Sequence, residues 1–133
     1  MWRRVAGVAF GLVVAMAGIA LMEVVGHRLF PPPAGTDMRD AAQVAAIVDR
    51  LPVAAKSWVV LAWTLGTFAG ACAGVAVSRW RAAAWLVAAG VIAGAILNML
   101  AIPHPVWMQV SGVLLPILAA WGAGRAGMAR GQT

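Results

Sequence analysis

Apolar residues in this chain do not alternate with polar ones; they run on, and the polar positions collect between the runs. Four runs are long enough for a bilayer, which takes ~20 mostly apolar residues in helical form. They cover roughly 5–30, 53–77, 82–102 and 106–124. The pattern predicts an all-α polytopic membrane protein, a four-helix transmembrane bundle forming one domain over 1–133, with an outer loop at 31–52. That loop has its own rhythm. Ala41, Val44, Ala45, Val48 and Leu51 recur at helical spacing, with Asp40, Gln43, Asp49 and Arg50 on much of the rest. This predicts a short extracytoplasmic amphipathic helix, opened by Thr36 and Asp37, both good N-cap types. Alanine makes up half of its hydrophobic residues, which would anchor weakly in lipid, so the segment reads better as a cap over the bundle mouth.

Prolines punctuate the pattern. "FPPP" removes backbone donors and pushes the preceding residue out of helical geometry, so the first helix must stop near Leu29. "SRWR" joins the second and third runs, and "IPHPVW" joins the third and fourth. His104 sits between two prolines in a stiff, extended stretch. The first run continues well past the small-residue site at Ala15–Ala17, longer than a signal-peptide core, so it reads as a retained span. The two halves match in neither loop length nor motif, which argues against an internal repeat.

Composition and charge sharpen the membrane reading. With 63% hydrophobic and 11% charged residues, the chain lacks the polar surface a soluble domain needs. The net charge of +6 is sorted by side. Arg3, Arg4, Arg79, Arg81, Arg125 and Arg130 flank the runs at one end with no acid among them. All four acids lie at the other end, mixed with Arg28, Arg39, Arg50 and Lys56. The positive-inside rule then places both termini in the cytoplasm, and four crossings require the termini to share a side. Basic clusters so placed are topology signals and contacts for membrane lipid, and they exclude a nucleic-acid surface. Cys72 is the single cysteine. It can form neither an internal disulfide nor a CxxC pair, which removes the quinone-linked disulfide oxidoreductases, and it suits a small packing position.

Small residues form ridges. Gly66, Gly70 and Gly74 recur every four residues, as do Gly90 and Gly94 with Asn98 next in line; Gly7, Gly11 and Gly18 share a face of the first run. Such ridges let helices approach closely in lipid, within one chain or between copies in a homo-oligomer. Glu23 and His27 lie nearly opposite the first of these ridges. The first helix therefore has two faces that want protein contact, which makes it either central to the bundle or part of an oligomer interface.

The candidate chemistry starts at Glu23. A carboxyl group inside a spanning helix is costly, and it usually faces a cavity or a partner and marks function. It can carry a proton, or it can be a satisfied buried acid that accepts from Asn98, Lys56 or a histidine. His27 lies one turn on, on the same face. Glu23, His27 and His104 together would make a two-histidine, one-carboxylate metal set, although no HExxH, second acid or cysteine supports it. Asn98, near the depth of Glu23, needs a partner in lipid. Together Glu23, His27, Asn98 and His104 are expected to converge in one cluster near the outer face and satisfy one another. Trp63, on the Gly66–Gly70 face, either walls a pocket there or simply packs. Trp2, Trp58 and Trp107 fit interface belts, and Lys56 fits a snorkelling position. No Walker loop, Ser–His–Asp set or pair of acids at catalytic spacing is present, so the sequence leans away from an enzyme and implies no cofactor.

"AGIALMEVVGH" resembles the first-helix pattern of small multidrug resistance transporters, in which an acid in an "EVxG" context exchanges drug cations for protons. Glu23, Val24 and Gly26 match. His27 stands where that family has a small hydroxyl residue, the first loop is much longer, and the later helix motifs are missing. "MEVVGHRLFPPP", "LPVAAKSWVVLAWTLGTFAG" and "NMLAIPHPVW" together resemble a family of small four-helix bacterial membrane proteins over most of the chain. That resemblance implies the topology above, in a bacterial inner membrane, and carries no activity. Three function classes follow. The first, a binding or scaffold protein built round the polar cluster, is favoured because the later helices carry few polar groups for a solute path. A proton-coupled transporter using Glu23 is second, and a metal-assisted membrane enzyme third.

Overall fold

The computed structural model describes residues 1–129; Arg130, the last residue of the basic set, lies outside them. Five helices follow in order: α1 (Trp2–Leu29), α2 (Ala41–Val48), α3 (Val53–Ser78), α4 (Ala82–Ala101) and α5 (Val106–Ala129). All but α2 are long and apolar enough to cross a membrane. At 20 residues, α4 rises about 30 Å, one hydrocarbon thickness. At 28 residues, α1 is longer by about 12 Å at the same rise.

The breaks fall where backbone chemistry puts them. Phe30, ahead of the three prolines, leaves helical geometry at φ −128°, ψ 72°, while its N–H still reaches the Gly26 carbonyl. Ile102, ahead of Pro103, is extended, and its N–H bonds Asn98 O. Pro52 is the N-cap of α3, a place where its missing N–H costs nothing. The turn between α3 and α4 is tight because Arg79 takes the left-handed conformation, at φ 53°, and closes α3 through its N–H to Val75 O. Pro116 lies inside α5 and is fully buried.

One boundary differs from the sequence expectation. α2 is capped by Asp40, not by Thr36 or Asp37: the Asp40 carboxylate accepts from the Ala42 N–H at 2.9 Å. Asp37 serves the preceding turn instead, accepting from Arg39 N–H. Gln43 ties the two acids together. Its Oε1 accepts from Asp37 N–H at 2.9 Å and its Nε2 donates to Asp40 Oδ2 at 3.1 Å. Gln43 lies three residues after the N-cap acid, as in a capping box, but its amide oxygen accepts from Asp37 N–H rather than from the cap's own N–H, which bonds Asp37 O. Backbone donation to the Asp40 carboxylate holds its pKa below the ordinary 3.8.

In the bundle, α3 packs on α1, α4 and α5, and α4 also meets α1 and α5. The α3–α4 pair is thus the centre, with α1 and α5 as flanks. α1 lies at the flank, and its glycine ridge closes on α3. A Cβ added to Gly7 would come 2.9 Å from Gly74 O, and one on Gly11 2.7 Å from Gly70 O. On α3, a Cβ on Gly66 would come 2.9 Å from Ala15 O. The glycine faces of α1 and α3 are therefore used within one chain. Gly90 on α4 takes Leu12, whose Cδ2 would lie 2.5 Å from an added Cβ, whereas a Cβ at Gly94 would meet nothing within 4 Å.

The interior falls into two clusters. One, near the Arg79 turn, is nearly all alanine: Ala71, Ala83, Ala84, Ala88, Ala120 and Ala123, with Val75. The other is built of larger groups, among them Ile19, Val60, Trp63, Val91 and Met108. The buried hydroxyls belong to Thr67 and Ser78. Each donates to a carbonyl four residues back in its own helix, Trp63 O and Gly74 O, so no buried side-chain polar atom among the described residues lacks a partner. At the alanine end, Arg3 Nε donates to Val77 O at 2.8 Å. Arg4 and Arg125 lie over the rings of Trp80 and Trp121 at 5.1 and 4.1 Å.

Candidate functional site

At the end opposite those arginines, the bundle holds a cavity of about 270 Å³, at the small edge of the range for ligand sites. Its walls come from the last turns of α1 and α4, the first turns of α3 and α5, and α2. The α2 segment forms the roof, turning Met38, Val44, Ile47, Val48 and Leu51 into it. The expected cap over the bundle mouth is therefore present, and its cavity-facing residues are aliphatic rather than alanine.

Glu23, His27, Asn98 and His104 all line this cavity. Three separate parts of the chain supply them, each for a local reason. Glu23 and His27 share a face of α1. Asn98 is one turn from the end that Pro103 imposes on α4. His104 is held by its turn: its Nδ1 lies 2.6 Å from Ile102 O, and Gln109 Nε2 donates to its carbonyl at 2.8 Å.

Convergence was expected; mutual satisfaction was also expected and does not occur. Among the described residues the Glu23 carboxylate has no hydrogen bond and no ion pair within 4 Å, and the Asn98 amide and His27 ring bond no other side chain. They face one another across space. The carboxylate-plus-two-histidine set fares the same way. No three His, Cys, Asp or Glu side chains among the described residues are grouped closely enough to hold a metal ion. The physical reason is that Glu23 and His27 ride on α1, whose position is dictated by its glycine contact with α3, not by the reach of His104.

Trp63 does not wall the cavity. It is 4% exposed and fills the core beside Gly112, where an added Cβ would come 2.7 Å from its ring. It backs His104 from the inside, with ring centroids 6.2 Å apart. The tryptophan that does line the cavity is Trp58. Its indole N–H donates to Met22 O at 2.7 Å and its ring sits on Gly26, 2.6 Å from where a Cβ would be. Trp58 is thus a spacer and a tie between the open ends of α1 and α3. Gly26, small and one turn past Met22, was the available signal. Lys56 also lines the cavity, without an ion pair among the described residues.

What the arrangement offers chemically is one carboxylate, one ammonium, two imidazoles and one amide, set in mostly apolar walls. Below it the described core contains no ionisable side chain until the arginine end. No protein-family model matches the chain, and no curated protein or solved structure matches it.

Proposed function

We propose that this is a small binding protein of the bacterial inner membrane whose roofed cavity holds an amphiphilic molecule. In this reading the roofed end faces outward and the arginine end, with both termini, lies in the cytoplasm, as the sorting of basic residues requires. The observation that carries the reading is the combination of convergence without contact. Glu23, His27, Asn98, His104 and Lys56 open on one cavity under an apolar roof, and none is spent on another. Glu23, His27 and Asn98 are exposed rather than buried, so their hydrogen-bonding capacity is open to whatever enters the cavity.

Proton-coupled transport also has an unpaired Glu23 in its favour. Against it stands the sealed interior, where Thr67 and Ser78 spend their hydroxyls on their own helices and leave no polar route toward the arginine end. Metal-assisted chemistry lacks a grouped donor set.

The test is native mass spectrometry of the protein extracted with its surrounding lipid. Wild type should retain a bound small molecule, and Val44→Trp, which fills the roof side of the cavity, should lose it while keeping its helical content. A wild type that carries nothing, or a filled variant that still carries it, would sink the reading. Reporter fusions at Thr133 and in the Ala34–Asp37 loop should report opposite sides of the membrane; agreement between them would overturn the orientation.

A further inference from the structure

Resting on that reading, we propose that the cavity takes the zwitterionic headgroup of a phospholipid, an ammonium and a phosphate diester on one molecule, with its chain lying along the open face of α4. The argument begins with two charges. Glu23 and Lys56 line the same cavity, carry opposite charges, and form no ion pair with each other or with any described residue. A carboxylate and an ammonium at the edge of a bilayer both gain from an opposite charge. Held apart by their helices, they are completed together by a ligand that carries both signs. A purely anionic headgroup would answer Lys56 and confront Glu23; a purely cationic one would do the reverse.

The neutral groups fit the same division. His104 is anchored through Nδ1 to the Ile102 carbonyl. In the neutral ring that bond puts the proton on Nδ1 and leaves Nε2 an acceptor, a second acceptor for an ammonium in the same cavity as Glu23. The Asn98 amide adds donors for a phosphate to the same lining as Lys56.

The source of the ligand follows from the way in. The water side is covered by Met38, Ile47, Val48 and Leu51. The side between α1 and α4 is not closed in the same way. Gly90, Gly94 and Asn98 follow one another at every fourth residue on one face of α4. Gly90 is filled by Leu12 of α1, Gly94 has nothing within 4 Å of an added Cβ, and Asn98 reaches the cavity. The face of α4 is thus open at Gly94, one turn from Asn98 at the cavity. A headgroup under the roof can lay its chain along that open face, so the ligand is a lipid of the adjoining leaflet rather than a dissolved zwitterion.

The experiment uses the full chain in mild detergent, with phosphatidylethanolamine, phosphatidylglycerol or soluble phosphoethanolamine added at equal concentration. Retained adducts are read by native mass spectrometry, alongside the shift in unfolding temperature. The ethanolamine lipid should be retained about ten-fold over the glycerol lipid, on the order of one charge-assisted contact. Glu23→Gln should erase that preference, and Gly94→Leu should lower retention of both lipids. Equal retention of the two lipids by wild type overturns the zwitterion proposal and leaves the binding reading standing. Phosphoethanolamine binding as well as the lipid, with Gly94→Leu indifferent, overturns the lipid as source. Retention of no added ligand, together with no endogenous one, brings down the binding reading itself. The lipid comparison on wild type needs no variant, so a misfolded mutant leaves the proposal testable.

Discussion

The two ends of this bundle are built on opposite principles. At the arginine end the core is alanine and the α1–α3 contact is glycine on glycine, so the helices close until backbone meets backbone. At the roofed end the core turns to Trp63, Met108 and Ile19, and a whole indole, Trp58, stands between α1 and α3. Helices held together by small side chains and apart by large ones must splay, and the cavity is the result of that taper. In lipid, where burying apolar surface drives little association, side-chain size at the contact sets the distance between helices.

The comparison is broken most severely at its closed end. Gly70→Leu would drive a side chain into Gly11 O and to within 2.6 Å of the Ala15 Cβ. The expected loss is about 3 kcal/mol or more, the upper range for overpacking, seen as a large drop in unfolding temperature in detergent. A variant of unchanged stability would mean that the seam does not set the taper. At the open end the tie is weaker. Trp58→Phe keeps a ring on Gly26 but removes the hydrogen bond to Met22 O, at a cost of about 1 kcal/mol.

Smaller effects sharpen the contrast. Glu23→Gln should change stability by less than about 0.5 kcal/mol, the range for positions outside packed or bonded features, because the carboxylate makes no hydrogen bond among the described residues and its charge meets only His27 through space. A large loss would reveal a structural role that the geometry does not provide. The smallest effect is confined to the roof. Asp40 has a folded pKa below its ordinary 3.8. Its contribution to α2 is therefore full above that ordinary value and fades as pH falls through the lowered one. Acidification should increase amide exchange in residues 41–48 while the four long helices keep their protection.

Much of this was legible in the sequence. The spans were set by hydropathy and by proline, whose backbone effects are local, so their bounds fall within a few residues of the observed helices. The gathering of Glu23, His27, Asn98 and His104 at one cavity was legible too, because each is fixed by the length of its own helix or by the Pro103–His104–Pro105 turn. The cap of α2 was misjudged because Thr36, Asp37 and Asp40 are all capping types, and the choice depended on the Gln43 side chain reaching both acids. The absence of bonds within the cluster was not legible. It depends on the spacing between α1 and α4, which the glycine seam and Trp58 decide between them. The tie of Trp58 to Met22 O and its seat on Gly26 are not legible either, because they depend on a pairing across two helices.

The hydroxyls bear on how such a protein is made. Thr64, Thr67, Ser78 and Ser111 each bond a carbonyl of their own helix. Leaving Cys72 aside, and apart from Arg3 and Trp58 at opposite ends of the α1–α3 pair, the side-chain hydrogen bonds of the long helices stay within their own helix or its adjoining turn among the described residues. In the membrane-spanning reading proposed above, each segment can leave the translocation machinery with these hydroxyls already answered, and need not wait for its neighbours. Assembly is then a sorting of finished rods by shape. Glu23 is the exception: its carboxylate accepts no hydrogen bond from its own helix and meets His27, one turn on, only through space.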